Sequence, residues 1–239
     1  MIRKEPIVTG EIYHVCNRTV SGLEIFKQKR ISDRFLATIY ISNNIESRRP
    51  CRSFNDATDD ILCQTTPGVV SPLIDILAIV LMPDHFHLLV RQLVDGGISR
   101  FVQRQCNSIG KYFNINNKRK GHVFMGPFKA IRLVSDAQAE HIFTYIHANP
   151  LDLAEPKWRE GGVKDWGNGK KFLKNYELSS LGVYTEGDTK IHPLIPGLID
   201  KEFATSYFKS KKDHLNAILG WASRNAKLSD HLVDNDYLE

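Results

Sequence analysis

The sequence predicts an α+β fold in which a central antiparallel sheet carries packed helices. Three observations support this prediction: segments with strand-like alternation, segments with helical spacing of apolar residues, and short connections between them. Strand and helix patterns follow one another along the chain, with loops that suit antiparallel neighbours. We therefore expect a sandwich of one sheet with its helices on one face.

The first half of the chain begins with strand-type alternation over residues 11–18. Residues 32–45 predict a helix, because apolar residues recur there at helical spacing. The segment 48–72 is mostly polar, contains three prolines and has no clear period, so we expect an insertion or flexible loop. A buried strand is then predicted from residue 74 to about residue 90.

The next helix is predicted to begin near Ser99, a candidate N-cap. Its apolar stripe steps by four, three and four residues: Val102, Cys106, Ile109 and Phe113. Residues 122–134 suggest one strand or a broken pair of strands. We expect an irregular region over residues 156–196 and a further helical region over residues 201–223.

A helix is also predicted from Asp136 to about Ala148. The capping-box pattern over residues 135–138 starts it. Asn149 and Pro150 end it, because a residue before proline avoids the α region.

The composition is that of an ordinary globular protein, with 239 residues, 42% apolar and 25% charged. No stretch of apolar residues is long enough to span a membrane, so we expect no membrane partner. The four cysteines include no CxxC pair, which favours a reducing compartment and argues against a zinc knuckle or disulfide framework. The first six residues contain no signal-peptide-like apolar region, and we expect a cytoplasmic protein.

Positive charge is concentrated in one window of the chain. No acidic residue lies between Asp95 and Asp136, although the whole chain has a net charge of only +5. The positive residues of this window are Arg100, Arg104, Lys111, Lys118, Arg119, Lys120, Lys129 and Arg132. Such a confined basic stretch predicts a polyanion site, with a nucleic-acid backbone as its ligand, whereas the alternative is a solvated basic helix face. Aromatic residues in the same window are candidate stacking platforms for unpaired bases: Phe101, Tyr112, Phe113, Phe124 and Phe128.

The most informative motif is His85-Phe86-His87, which follows Met82-Pro83-Asp84. Side chains on a strand alternate between its two faces, so His85 and His87 point the same way. Two adjacent imidazoles form half of a site for a divalent metal, or are polar groups at a sheet surface.

A second set of polar groups lies on the helix before Pro150. His141, Tyr145 and Asn149 are four residues apart and share one face. Tyr145 is a candidate nucleophile if a base or metal assists it, and Asn149 offers an amide oxygen as a third metal ligand. Tyr112, at the end of the basic helix, is the rival nucleophile.

These motifs together resemble a known family. The block at residues 82–87 resembles the HUH motif of single-tyrosine transposases. Four further blocks are similar to the branch of REP-associated tyrosine transposases: residues 13–18, 121–130, 145–150 and 176–180. The resemblance covers residues 8–185, and residues 186–239 match no family that we recognise.

The resemblance implies a ferredoxin-like fold and a DNA endonuclease active in transposition and recombination. It implies that His85 and His87 hold Mg²⁺ or Mn²⁺, that Tyr145 is the nucleophile and that Asn149 is the third ligand. The expected partner is single-stranded DNA with a hairpin, such as a REP element, bound by a monomer or homodimer. The expected reaction cleaves and rejoins DNA through a 5′-phosphotyrosine bond.

The predicted organisation is a catalytic domain over residues 1–160 and a C-terminal extension over residues 161–239 that contacts the hairpin or a partner. Three other functions stay open at this point. They are a domesticated hairpin-binding protein that has lost cleavage, a replication initiator or relaxase of the HUH class, and a metal-dependent hydrolase that uses the histidines with Asp84 or Asp136.

Overall fold

The structure is a computed structural model that describes residues 6–46, 71–185, 187–207 and 211–223. The predicted insertion at 48–72 lies outside these residues except for its last two positions. Cys51 and Cys63 also lie outside them, whereas Cys16 is buried and Cys106 is partly buried. Among the described helices, none is both long and apolar enough to cross a membrane.

One antiparallel sheet organises the fold. Its strands are β1 (Ile12–Arg18), β2 (Ile74–Leu81), β3 (His85–Gln92) and β4 (Lys129–Arg132), in the spatial order β2-β3-β1-β4. Helix α1 (Lys29–Ser42) connects β1 to β2, and helix α2 (Gly97–Asn116) connects β3 to β4. The chain order is β-α-β-β-α-β, with β1 and β3 in the centre of the sheet and β2 and β4 at its edges. This is the ferredoxin-like arrangement, and the predicted α+β fold is confirmed.

The histidine segment is a hairpin, and the prediction of a single strand over residues 74–90 is wrong. Residues 82–84 form the turn, and the Met82 amide donates to the His85 carbonyl at 2.8 Å. The apolar run could not reveal this, because β2 and β3 are both almost wholly buried, so both strands have a largely apolar sequence. Pro83, which lacks an amide proton and has a fixed φ, marks the turn.

Helices α1 and α2 cover one face of the sheet. The Phe35 ring lies 5.1 Å from the Phe86 ring, centroid to centroid, and both side chains are buried. Both helices begin earlier than the sequence predicted. Gly97 is already helical, and glycine is required there because a side chain would clash with the Leu73 carbonyl.

Helix α3 (Asp136–Ala148) confirms the predicted helix. The Ser135 hydroxyl accepts a hydrogen bond from the Gln138 amide at 3.2 Å, as the capping pattern indicates. Tyr145 on α3 contacts His87, which points away from Phe86. Helices therefore lie on both faces of the sheet, and the prediction of helices on one face only is wrong.

The region after α3 contains more helix than the sequence predicted. Its helices are α4 (Leu151–Ala154), α5 (Trp158–Gly161), α6 (Trp166–Asn175), α7 (Leu181–Tyr184), α8 (Ile195–Leu198), α9 (Glu202–Tyr207) and α10 (Lys211–Ser223). A second, smaller apolar core joins Ala148 and Leu151 to Trp158, Leu173 and Ile218. This core links both sides of the expected boundary at residue 160, and the division into two domains stays a proposal.

Candidate functional site

The two histidines of the HUH-like motif lie side by side on β3. The His85 and His87 rings are 5.0 Å apart, centroid to centroid, at 87° to each other. His87 is 5% exposed, whereas His85 lies at the end of the strand and is partly open to solvent. Their placement follows from the two-residue period of a strand, which directs both toward the face that α3 covers.

Each imidazole has a hydrogen-bond partner at its Nδ1 atom. His85 Nδ1 lies 2.6 Å from Asp84 Oδ1, and His87 Nδ1 lies 2.9 Å from Nε2 of His14 on β1. The His14 and His87 rings are stacked, with centroids 5.0 Å apart. Partners of this kind orient the ring and leave Nε2 as the nitrogen that can bind a metal. Many histidines that bind metals have such a partner at their other ring nitrogen.

Burial keeps the inner histidines neutral. Desolvation lowers the pKa of His14 from 6.5 to about 4. Desolvation also lowers the pKa of His87 well below 6.5, with smaller contributions from His85 and His14 and from two nearby arginines. Both rings are therefore neutral at pH 7 and retain the lone pair that metal binding requires.

The hydrogen bond from His85 lowers the pKa of the Asp84 carboxyl, and its partial burial opposes the shift. Asp84 is therefore ionised at neutral pH. An ionised carboxylate accepts a strong hydrogen bond from the imidazole and holds it in one orientation.

Tyr145 lies against these imidazoles from the facing helix. Its ring centroid is 5.5 Å from that of His87 and 5.9 Å from that of His14, edge to face in both cases. The Trp221 ring, on α10, packs 6.1 Å away on the outer side. Tyr145 is only 7% exposed, so its ring is held in place on several sides.

Asn149 ends the same helix and belongs to a charged network. Its Nδ2 donates to the Tyr145 carbonyl at 2.9 Å, and its Oδ1 accepts from Arg159 Nη2 at 3.2 Å. The Arg159 guanidinium donates to both oxygens of Asp152 at 2.9 Å and lies 5.1 Å above the Tyr145 ring centroid. The guanidinium of an Arg159–Asp152 ion pair therefore lies beside the candidate nucleophile.

The donor set fits a divalent metal only in part. Within the described ranges, no three His, Cys, Asp or Glu side chains lie together as a ready-made metal cluster. His85 and His87 can each supply one imidazole nitrogen, whereas the side-chain oxygen of Asn149 already accepts a hydrogen bond from Arg159. A metal at this position therefore needs water or phosphate oxygens to complete its shell, as Mg²⁺ and Mn²⁺ commonly do.

The basic residues of the window divide into two groups. Arg104 donates to the Ser42 and Asn44 carbonyls, Arg119 donates to the His122 carbonyl, and Arg132 pairs with Glu11. These arginines support the fold, and Arg100 likewise donates to the Asp95 carbonyl. The second group is the lysines, of which Lys111, Lys118 and Lys120 are exposed and Lys129 is partly buried.

Most of the aromatic residues proposed as stacking platforms serve the core instead. Phe101 and Phe113 are 1% and 6% exposed, because they lie on the inner face of α2. Phe124 and Phe128 are half-buried and pack against the core. Tyr112, the rival nucleophile, lies on α2, which covers the face of the sheet opposite the histidines. The Arg34 guanidinium carbon lies 4.1 Å from the centroid of its ring.

Two residues of the site were missed by sequence reasoning. His14 stands in the Tyr13-His14-Val15-Cys16 block, where its strand alternation could have placed it on the face of His87. Arg159 carries no such signal, because it lies on the short helix α5, two helices beyond α3, and no periodic pattern links it to Tyr145.

Comparison with known proteins concerns the family resemblance. Residues 69–149 match the family model described as "Transposase IS200 like", which confirms the resemblance to these transposases over β2, β3, α2, β4 and α3. No curated protein matches the chain. One similar solved structure is described as the REP associates tyrosine transposase bound to a REP hairpin. It is 15% identical, with a TM-score of 0.45, over 84% of this chain and 88% of that one.

Proposed function

We propose that this chain, which carries an IS200-like transposase segment at residues 69–149, cleaves and rejoins single-stranded DNA next to hairpins. The observation that carries the proposal is the contact between Tyr145 and His87, with centroids 5.5 Å apart, beside a second histidine on the same strand. It brings a candidate nucleophile and two candidate metal ligands to one point from separate elements.

In the proposed reaction, Tyr145 Oη attacks a DNA phosphorus and forms a 5′-phosphotyrosine bond. The bond from phosphorus to the 3′-oxygen breaks, the phenol loses one proton and the 3′-oxygen gains one. The covalent bond conserves the phosphodiester energy, so a second 3′-hydroxyl rejoins the strand without ATP. The positive charge of Arg159 attracts the phosphate toward Tyr145.

His85, His87 and Asn149 are the residues proposed to hold Mg²⁺ or Mn²⁺, which supplies Lewis-acid polarisation of the phosphate when bound. In the tautomer that suits this role, His87 donates from Nδ1 to His14 Nε2, and His85 donates from Nδ1 to Asp84. Both Nε2 atoms then keep their lone pairs. Lys111, Lys118 and Lys120 are the proposed contacts to the DNA backbone.

One observation favours a second candidate, a hairpin-binding protein that no longer cleaves. Tyr145 is only 7% exposed and is packed against Trp221, so a phosphate reaches its hydroxyl only if the surrounding side chains shift. The backbone contacts would survive in such a protein, but no covalent adduct would form.

The test mixes the purified protein with Mn²⁺ or Mg²⁺ and hairpin-bearing single strands from the DNA that flanks its own gene. A denaturing gel then detects protein joined to DNA, with Tyr145→Phe and Tyr112→Phe as a matched pair. We expect a metal-dependent adduct that only Tyr145→Phe abolishes. Loss in Tyr112→Phe alone would move the nucleophile, and tight binding without any adduct would favour the non-cleaving protein.

A further inference from the structure

A polar groove lies on the face of the sheet opposite the histidines. Helix α2 forms one wall and residues 121–128 form the other, around a cavity of about 560 Å³. Asn17 belongs to its lining and donates to Cys106 Sγ at 3.7 Å, which fixes the groove on the α2 side of β1. Its volume falls within the roughly 300–1,000 Å³ typical of small-ligand sites.

The helical wall presents a regular polar stripe. Ser99, Gln103, Asn107 and Lys111 are four residues apart, so they lie one above another beside the apolar stripe that faces the core. All four are exposed. Within the described ranges, no hydrogen bond or ion pair engages the side chains of Gln103, Asn107 and Lys111. Two carboxamides and one ammonium group are thus available to a ligand.

The facing wall supplies aromatic surface. Phe124 and Phe128 are half-buried against the core and also line the groove. Val102 and Val123 contribute apolar surface between the walls. Burial raises the pKa of the Cys106 thiol to about 12, so this lining residue is also uncharged. The groove therefore combines flat apolar surface with amide donors and acceptors.

This chemistry suits a nucleobase better than a phosphate. A phosphate site needs several cations or convergent backbone amides, whereas the charged side chain lining the groove here is Lys111. Carboxamides donate and accept at once, as base edges do, and they pair with adenine through two hydrogen bonds. Aromatic side chains stack on unpaired bases of any sequence.

We propose that this groove binds one unpaired base of the single-stranded DNA, with a preference for adenine. The inference rests on the proposed function, which supplies the single strand, and it adds a base-reading site on the face opposite Tyr145. Gln103 and Asn107 pair with the base edge, Phe124 or Phe128 stacks on its face, and Lys111 contacts the adjoining phosphate.

The test measures binding of hairpin-bearing single strands in which each unpaired nucleotide is replaced in turn by an abasic one. The Tyr145→Phe protein is used, so that cleavage does not interfere, and fluorescence anisotropy gives each Kd. We expect one abasic position to weaken binding about 10-fold, as loss of a stacked base does. Restoring adenine at that position should give the tightest binding of the four bases.

A double variant then links that position to the groove. Gln103→Ala/Asn107→Ala should weaken binding of the intact strand about 10-fold and leave the critical abasic strand almost unchanged, because the shared contact is already lost. Asn116→Ala is the matched control, since it removes an amide from the same helix outside the groove. Thermal melting of each variant establishes that it is folded.

The outcomes separate the groove from the chemistry. Equal weakening of every strand by the double variant, or no sensitive abasic position, would overturn the base site even if wild-type protein forms the tyrosine adduct. Base discrimination without any adduct would retain the groove and refute cleavage. Absence of single-strand binding would refute both.

Discussion

At the residue scale, the site depends on groups behind the proposed ligands. Asp84 and His14 each bond the Nδ1 atom of one HUH-like histidine, at 2.6 and 2.9 Å. Neither partner needs to touch DNA. Both restrict the rotation of an imidazole whose free nitrogen would otherwise sample several directions.

Asp84→Asn is therefore expected to weaken Mn²⁺ binding about 10- to 100-fold, the usual cost of losing such a partner. The amide cannot hold the His85 N–H as firmly as the carboxylate does. Electron paramagnetic resonance of free Mn²⁺ during a titration measures the affinity without requiring activity.

Asp75→Asn is the control, because Asp75 pairs with Arg91 on the same sheet, away from the histidines. Equal Mn²⁺ affinity in wild type and Asp84→Asn would contradict a metal at His85.

At the element scale, a chain of buried polar groups joins α3 to the sheet and to α10. His147 Nε2 lies 2.8 Å from Ser180 Oγ, and His147 Nδ1 lies 3.0 Å from Nε2 of His214 on α10. The Ser180 hydroxyl also accepts from the Ile79 amide of β2 at 3.0 Å. These bonds set the position of α3, and hence of Tyr145, from the side away from His87.

These buried histidines predict that the protein is less stable in acid. Desolvation lowers the pKa of His147 from 6.5 to about 3 and also lowers that of His214 well below 6.5. Below about pH 6.5, these two histidines are protonated in the unfolded chain but stay neutral in the folded chain. The stabilisation is therefore complete above that pH and is lost as the pH falls from 6.5 toward 3.

The measurement is the free energy of unfolding by urea between pH 7.5 and pH 4. His147→Gln should reduce the pH dependence, because glutamine can bond Ser180 but does not titrate, whereas the other buried histidines still contribute. A wild-type stability that is flat across this range would refute the assignment.

At the scale of the whole molecule, some cations of the basic window are exposed to solvent, whereas others stabilise the fold. Lys118 and Lys120 are exposed and close to the groove wall, whereas Arg119 between them donates to the Asn114 side chain and to two backbone carbonyls. Neighbouring cations thus have different tasks.

Lys118→Ala and Lys120→Ala should each reduce the dependence of log Kd on log salt concentration by about 0.7 for single-stranded DNA, the value for one lost phosphate contact. Salt titrations by fluorescence anisotropy measure this slope. Lys29→Ala is the control, because Lys29 pairs with Asp33 on α1 outside the basic window. Arg119→Ala should instead lower the melting temperature, and an unchanged slope in both lysine variants would remove them from the interface.

Much of this protein could be predicted from local pattern alone. The period of two on β3 is enough to put His85 and His87 on one face, and the cap at Ser135 with the stop at Pro150 defines the helix of Tyr145. These features depend on residues within one strand or helix, and those residues are close together in the sequence.

Only the tertiary structure decided what meets across elements. It brought His14 to His87 from β1, and Arg159 to Asn149 and Tyr145 from the short helix α5. It also buried Phe101 and Phe113 in the core and placed Gln103 and Asn107 in the lining of a groove. Sequence periodicity tells which residues share a face, but which face meets which partner is set by the packing of all elements together, because each buries its apolar surface against the others.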